Sequence, residues 1–174
     1  SPHIEVYQDT RTPFNSLKVN GLKSKYIYKK DSTVIKNGSY MRGIQLMGVS
    51  DDYPIKMNVI DGFLSRGINK PGYIGIGVDL ANIIEAVVGD TVDILYESEN
   101  GKPRLKKFTV SYIYEVGMSA YDSNTAVISI DDQEELWPES GYIYGINIEN
   151  PFDSSKATRS LPDQLLMAGS NCID

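Results

Sequence analysis

Cysteine and histidine are nearly absent from this sequence of 174 residues, because Cys172 and His3 are the only ones of their kind. With a single cysteine, no disulfide can form within the chain, and zinc sites built from several Cys and His ligands are excluded. A Ser-His-Asp or Cys-His catalytic device would have to use His3, close to the start of the chain, where residues are usually poorly ordered. The sequence therefore argues against these classes of enzyme.

Positive charge and long apolar runs are also scarce. There are 17 Lys and Arg against 23 Asp and Glu, so the net charge is −6, and the longest basic runs are Lys29-Lys30 and Lys106-Lys107. We expect no nucleic-acid-binding face, since such a face needs clustered positive charge. The most apolar stretch, 73–88, is interrupted by polar residues and is shorter than the roughly 20 residues of a membrane span. The first residues also lack the features of a signal peptide, so we interpret the chain as a mature or excised segment.

What the sequence has in quantity is short runs of Tyr, Ile and Val separated by Gly and Asn, a pattern typical of strands and turns. Asn37-Gly38 gives the clearest hairpin prediction, with arms 33–36 and 39–49 and with Ile44, Leu46 and Gly48 on one face. The Asn-Gly pairs at 20–21 and 100–101 predict further tight turns.

Tyr-Ile-Tyr occurs at 26–28, 112–114 and 142–144, at unequal spacing. This excludes a repeat architecture, and we interpret the three segments as strands with half-buried tyrosines. An aromatic ligand platform is the alternative. In particular, Tyr142 and Tyr144 could rim a sugar or peptide site in a secreted binding module.

Two segments have helical periodicity. Apolar residues form one stripe in 79–88, with Gly89 as the expected C-terminal stop. In 131–137, Asp131 is expected to cap the first turn, Glu134 completes a capping box, and Pro138 ends the helix.

The expected fold class is α+β, with a mixed, largely antiparallel sheet, hairpins and two to three packed helices, because strand runs bunch into hairpins instead of alternating with helices. A third helix is expected between 154 and 168, broken near Pro162. We expect one domain over 1–174, with a small subdomain formed within 10–67 and its boundary in 53–71.

Candidate cofactor and metal motifs are weak. Gly75-Ile76-Gly77 between a strand and a helix is similar to a phosphate-binding turn, but Leu80 stands where the third glycine belongs, so strand–helix packing explains it better. The acidic clusters 51–52, 131–132 and 134–135 have no ligand-like spacing. We therefore expect no cofactor, no metal and no catalytic residues, although a catalytic carboxylate pair stays open.

Two blocks of sequence resemble the extracytoplasmic core domain of the MacB- and LolC/LolE-type ABC-transporter permeases. The first block, 74–95, matches through Gly77, Leu80, Ala81, Gly89, Asp90 and Val92, and the second, 108–127, through Phe108, Val110, Gly117, Tyr121 and Asp122. Tyr112 departs from the family, which usually has Gly there, so local packing is expected to differ. The resemblance covers 73–150 well, the start weakly and 10–67 hardly at all.

This resemblance implies a non-catalytic periplasmic domain looped out between two spans of a bacterial inner-membrane permease, which works as a dimer with cytoplasmic ATPase subunits. Its role would be mechanotransmission: it would pass the conformational change driven by ATP hydrolysis on to a cargo. The cargo implied is a lipoprotein, which is handed to a periplasmic carrier. The family's carrier-binding hairpin matches 95–107, where the candidate contact residues are Glu99, Asn100, Gly101, Lys102 and Pro103. Their short polar tip lacks the apolar protrusion of a carrier-binding hairpin and is better explained as a tight turn. A MacB-like efflux permease and an FtsX-like cell-division permease are alternatives within the family.

Overall fold

A computed structural model describes residues 4–9, 22–51, 53, 57–62 and 70–148. The strands are β1 (Ile4–Gln8), β2 (Leu22–Asn37), β3 (Tyr40–Val49), β4 (Asn58–Gly62), β5 (Tyr73–Gly77), β6 (Thr91–Glu97), β7 (Pro103–Glu115), β8 (Thr125–Ser129) and β9 (Tyr142–Ile148), and the helices are α1 (Val78–Ile83), α2 (Ser119–Asp122) and α3 (Ile130–Leu136). The chain forms two compact units, a terminal unit (1–29 and 139–174) and a barrel unit (30–138), and the boundary falls inside β2.

Six strands of the barrel unit close into a ring in the order β2-β3-β8-β5-β7-β6. The ring closes because β6 pairs back to β2, with Ile35 opposite Ile94 and Lys36 opposite Asp93. The pairs β3–β8 and β5–β7 are parallel, whereas β5–β8, β6–β7 and β2–β6 are antiparallel. Strand β4 pairs with β7 outside the ring.

The expected α+β class is wrong. The structure is mainly β, and its sheet closes on itself where packed helices had been expected to cover it. Helix α1 has six residues because Glu85 adopts a left-handed φ of 52°, so the rest of the apolar stripe lies in the loop before β6. Gly89 is therefore not the helix stop that the sequence predicts.

Apolar side chains from all six strands and from α1 and α3 fill the barrel. The buried residues of this core are Ile35, Ile44, Leu46, Ile74, Ile76, Leu80, Ala81, Ile84, Ala86, Val92, Ile94, Phe108, Val110, Ile113, Ala126, Ile128 and Leu136. The β2–β3 hairpin is confirmed, although its turn residues are Gly38 and Ser39, one position later than predicted. Gly38 has a φ of 59°, as a tight turn requires.

Helix α3 is confirmed with a different cap. Ser129 Oγ accepts a hydrogen bond from the Asp132 N–H at 3.1 Å, so Ser129 and not Asp131 is the N-cap. The helix ends at Leu136, ahead of Pro138, as the sequence predicts. None of the helices in the described ranges is long and apolar enough to cross a membrane.

In the terminal unit, β9 lies between β1 and the first part of β2. Both neighbours are antiparallel to it, with Ile4 opposite Ile146 and Leu22 opposite Ile148. The Tyr-Ile-Tyr segments are strands, as predicted, but Tyr26, Tyr28 and Tyr144 are at most 6% exposed, more deeply buried than expected.

Several predictions fall outside the described residues. These are the third helix at 154–168, the turn at 20–21 and any role of His3 or Cys172. A subdomain within 10–67 also stays a prediction, because the described part of that range is not continuous.

Candidate functional site

The two sequence blocks that carry the family resemblance meet where Gly77 packs against Asp122. A Cβ on Gly77 would lie 2.3 Å from the carbonyl oxygen of Asp122, so only glycine permits this approach. Beside it, Ser119 Oγ donates a hydrogen bond to Asp79 Oδ2 at 3.3 Å and links α2 to α1. The end of β5 and helix α2 are thus held together by motif residues.

Asp122 is a buried carboxylate, 3% exposed, that closes the loop before α2. Its two oxygens accept hydrogen bonds from the N–H groups of Val116, at 2.8 Å, and Gly117, at 3.0 Å. Gly117 has a φ of 87°, which explains glycine at this position. These bonds satisfy the buried charge and give Asp122 a structural role.

Buried tyrosines of β7 lie next to this loop. Tyr114 Oη and Thr125 Oγ1 are 2.6 Å apart, and the Tyr121 hydroxyl donates to Met47 Sδ at 2.9 Å. Burial raises the pKa of both Tyr112 and Tyr114 above the ordinary range. Both phenols therefore stay protonated. The Tyr114 hydroxyl hydrogen-bonds Thr125, whereas the Tyr112 hydroxyl is buried without a hydrogen-bond partner, so this ring serves packing.

Gly75 accommodates the departure from the family at Tyr112. A Cβ on Gly75 would lie 2.1 Å from Cζ of the Tyr112 ring. The two glycines therefore serve close packing, Gly75 against Tyr112 of β7 and Gly77 against Asp122 of α2, where the sequence predicts packing of the strand on the following helix.

The remaining motif residues build the barrel. Leu80, Ala81, Val92, Phe108 and Val110 are buried in its core. Gly89, with a φ of 95°, donates its N–H to the Val110 carbonyl at 2.8 Å, and Asp90 Oδ2 accepts the Val87 N–H at 3.0 Å. Both residues shape the turn into β6.

The candidate partner-contact hairpin lies at the opposite end of β7 from Asp122. All of its residues, 99–103, are exposed, and the Ser98 N–H donates to the Lys102 carbonyl at 2.8 Å across a tight turn. Gly101 has a φ of 73°. At the base of this hairpin is a shallow cleft of about 290 Å³, lined by Ser32, Thr33, Leu95, Tyr96, Glu97, Gly101, Pro103 and Trp137.

One residue of the acidic clusters, Asp132, has a structural role. Asp132 is 8% exposed, and its Oδ2 accepts the Gly72 N–H at 2.8 Å, which fixes the loop before β5. Among the described residues, no three His, Cys, Asp or Glu side chains converge as metal ligands would. Asp52 lies outside that part of the chain.

Two fully buried polar side chains were missed by sequence analysis. Gln133 Nε2 donates to Asp31 Oδ2 at 2.8 Å and to the Leu46 carbonyl at 2.9 Å, and Lys29 Nζ donates to the Ser140 carbonyl at 2.9 Å. The burial of Gln133 could have been predicted, because it lies three residues from both Ile130 and Leu136, on the face that α3 buries. Nothing in the local pattern distinguishes Lys29 from its exposed neighbour Lys30.

Comparison with known proteins shows which proteins the chain resembles. Over 129 residues the chain is 27% identical to the lipoprotein-releasing system transmembrane protein LolC of Xylella fastidiosa, and the match covers 68% of this chain and 31% of that protein. Over 166 residues it is 25% identical to LolC of Neisseria meningitidis, and this match covers 86% of the chain and 40% of the protein. The resemblance to LolC/LolE-type permease domains is confirmed. No protein-family profile matches the chain.

Solved structures give the same fold. The extracellular domain of the noncanonic ABC-type transporter YknZ from Gram-positive bacteria superposes with a TM-score of 0.67 at 17% identity, over 98% of both chains. A permease-protein domain from Porphyromonas gingivalis superposes with a TM-score of 0.59 at 11% identity, over 98% of this chain and 90% of that one. The LolC-like chain spans between about a third and two fifths of the length of its curated relatives.

Proposed function

We propose that this chain is the extracytoplasmic domain of an ABC-transporter permease and that it couples ATP hydrolysis on cytoplasmic subunits to the release of lipoproteins from the inner membrane. The observation that carries the proposal is the match to LolC over 86% of the chain. In this proposal the chain is not catalytic, sits on the periplasmic side, and works with a second permease subunit, ATPase subunits and a periplasmic carrier.

The strand pairing of the terminal unit supports this placement. Strand β1 is antiparallel to β9, with Ile4 opposite Ile146, so the start of β1 and the end of β9 lie at the same end of the described part of this unit. A domain looped out between two membrane spans needs this arrangement, because both of its connections must return to the same membrane surface.

The barrel unit supports a mechanical role. Its closed ring and packed interior resist deformation, and a packed body of this kind passes on a displacement instead of absorbing it. The hairpin 99–103 is the segment that would meet a carrier. Its exposed polar tip offers hydrogen bonds and charge to such a partner, in place of an apolar contact.

A MacB-like efflux permease is the second candidate, since the extracellular domain of the ABC-type transporter YknZ shares the fold of this chain over 98% of both chains. The two candidates share the topology and differ in cargo. The secreted tyrosine-rimmed module is disfavoured, because Tyr144 is fully buried and the two exposed tyrosines, Tyr40 and Tyr73, begin strands that run in opposite directions.

The topology is tested by labelling the full-length protein in intact cells. Ser39→Cys, in a Cys172→Ser background, places a thiol at the exposed β2–β3 turn, and Ala126→Cys places one at a fully buried position as a control. We expect a membrane-impermeant maleimide to label Ser39→Cys without cell lysis and to leave Ala126→Cys unlabelled. Labelling of Ser39→Cys only after lysis would contradict the periplasmic placement.

The cargo is tested by depleting the protein. Accumulation of lipoproteins in the inner membrane supports lipoprotein release. Normal lipoprotein sorting, together with increased sensitivity to exported compounds, would instead support the second candidate.

A further inference from the structure

Two passages of chain connect the terminal and barrel units, an outgoing one at 29–30 and a returning one at 138–139. Within each unit, a fully buried polar side chain ties the two passages to each other by a hydrogen bond. These are the only two fully buried Lys or Gln side chains in the described part of the sequence.

In the terminal unit the tie is made by Lys29. Its Nζ donates to the Ser140 carbonyl at 2.9 Å and lies 4.7 Å from the centroid of the Tyr142 ring. A buried ammonium group is costly unless oxygen atoms and aromatic faces replace its water shell. The Lys29 ammonium group therefore interacts with residues of the returning passage, whereas Lys30 is exposed.

In the barrel unit the tie is made by Gln133. Both Nε2 hydrogens are used, one toward Asp31 Oδ2 at 2.8 Å and one toward the Leu46 carbonyl at 2.9 Å. The backbone of Gly48 leaves room for this side chain, because a Cβ there would lie 2.5 Å from Gln133 Cβ. Asp31 is two residues after Lys29, so the two ties leave β2 on the same face of the strand.

We propose that Lys29 and Gln133 are positioning residues that keep the outgoing and returning passages fixed to each other. A displacement of the membrane-anchored ends is then transmitted in full to the barrel unit. The proposal rests on the proposed function as a coupling domain. Helix α3 has seven residues and is too short to be stable alone. Without Gln133, α3 loses its side-chain hydrogen bond to Asp31 of β2, so a displacement of one segment is no longer passed to the other through this bond.

The first test measures coupling in the full-length permease with its ATPase in liposomes. We expect Gln133→Met and Lys29→Met to keep ATP hydrolysis and to lower the cargo released per ATP at least about fivefold, since Gln133→Met removes two hydrogen bonds and Lys29→Met one, each corresponding to a factor of about five. The matched controls are Gln45→Met, which removes an exposed 2.6 Å bond to Ser32 Oγ, and Lys30→Met. Both controls should stay within about twofold of wild type.

A milder pair of variants keeps the test decisive if the buried substitutions prevent folding. Asp31→Ala removes the acceptor from a half-buried position, and Asp31→Asn retains an acceptor oxygen for Gln133. We expect uncoupling in Asp31→Ala and rescue in Asp31→Asn. In the 174-residue chain alone, hydrogen exchange of the α3 amides should be about fivefold faster in Asp31→Ala than in wild type.

The outcomes separate the two proposals. If wild type releases cargo with ATP and Asp31→Ala does so with the same efficiency, the positioning role is overturned and the proposed function stands. If wild type shows no ATP-driven release, both are overturned, while faster exchange in Asp31→Ala would still establish the tie as a structural feature.

Discussion

Asn37, the last residue of β2, donates its side-chain amide to the carbonyl oxygen of Ile84, the C-cap of α1, at 3.0 Å and across 47 residues of sequence. The same amide lies 3.2 Å from the Glu85 carbonyl. Carbonyl groups in the last turn of a helix have no donor within the helix. The end of the hairpin strand therefore also terminates the helix.

Glu85 occupies the position where helices most often place glycine. Its N–H bonds to the Asn82 carbonyl at 3.3 Å, and the Ala86 N–H bonds to the Ala81 carbonyl at 2.9 Å, which together form a Schellman motif. The exposed phenol of Tyr40 hydrogen-bonds the Glu85 carboxylate, and this bond raises the pKa of Tyr40.

We predict that Glu85→Gly stabilises the protein by about 1 kcal/mol, because glycine adopts φ of 52° without steric cost. The matched control is Asn82→Gly at an exposed, right-handed position of α1, which should destabilise by about 1 kcal/mol. Thermal unfolding of both variants gives the comparison. A loss of stability in Glu85→Gly equal to that in the control would show that the backbone strain is unimportant.

Gly75→Ala should destabilise the barrel by about 3 kcal/mol, since its methyl group would overlap the fixed ring of Tyr112. Gly43→Ala is the control, because a Cβ there meets no atom within 4 Å, and we expect a change of less than about 0.5 kcal/mol. Urea unfolding measures both. Equal changes in the two variants would mean that Tyr112 can move aside.

Asp122→Asn replaces a carboxylate that accepts two backbone N–H groups with an amide that can accept only one of them well. We expect a loss of about 2 kcal/mol, the cost of leaving a buried donor without its partner. Asp51→Asn, in an exposed turn, should change stability by less than about 0.5 kcal/mol. A neutral Asp122→Asn variant in chemical denaturation would remove the structural role assigned to this carboxylate.

Buried phenols set the alkaline limit of stability. Burial, with a smaller contribution from Glu5, raises the pKa of Tyr26 to about 12, against 10.0 for an unperturbed phenol. Because the folded value exceeds the unfolded one, this stabilisation is complete below pH 10 and is lost as pH rises through the folded value. We expect unfolding between about pH 10 and 12, detected together by tyrosinate absorbance and circular dichroism.

The same titration has an internal control. Tyr26→Phe should move the alkaline midpoint upward, and Tyr73→Phe, at an exposed position, should leave it in place. If every tyrosine of the folded protein ionised near pH 10, the protective effect of burial would be refuted.

Local features of the fold followed from the sequence. The β2–β3 hairpin and the end of α3 before Pro138 each depend on residues close together in the chain, where turn chemistry and periodicity are informative. The motif residues of the candidate site could be named from the sequence, but the contact between Gly77 and Asp122 could not, because the two residues belong to different blocks. The blocks 74–95 and 108–127, which contain Asp90 and Asp122, resemble one family in the sequence alone.

Non-local features did not follow. The sheet closes because Ile35 of β2 pairs with Ile94 of β6. Isoleucine is equally common in open sheets, so neither residue predicts the closure. The early end of α1 depends on Asn37, far away in sequence, and the tie made by Gln133 depends on an acceptor in β2. Each of these contacts forms between residues far apart in the chain, so local propensity could not predict it.

Closure of the ring through Ile35 and Ile94, which are 59 positions apart, also shapes how the protein is made. Pairings between distant residues form slowly during folding. Until they form, β2 and β6 each present an unpaired edge on which a neighbouring nascent chain can add a strand. The contact that makes the finished barrel stiff is therefore the step at which folding competes with aggregation.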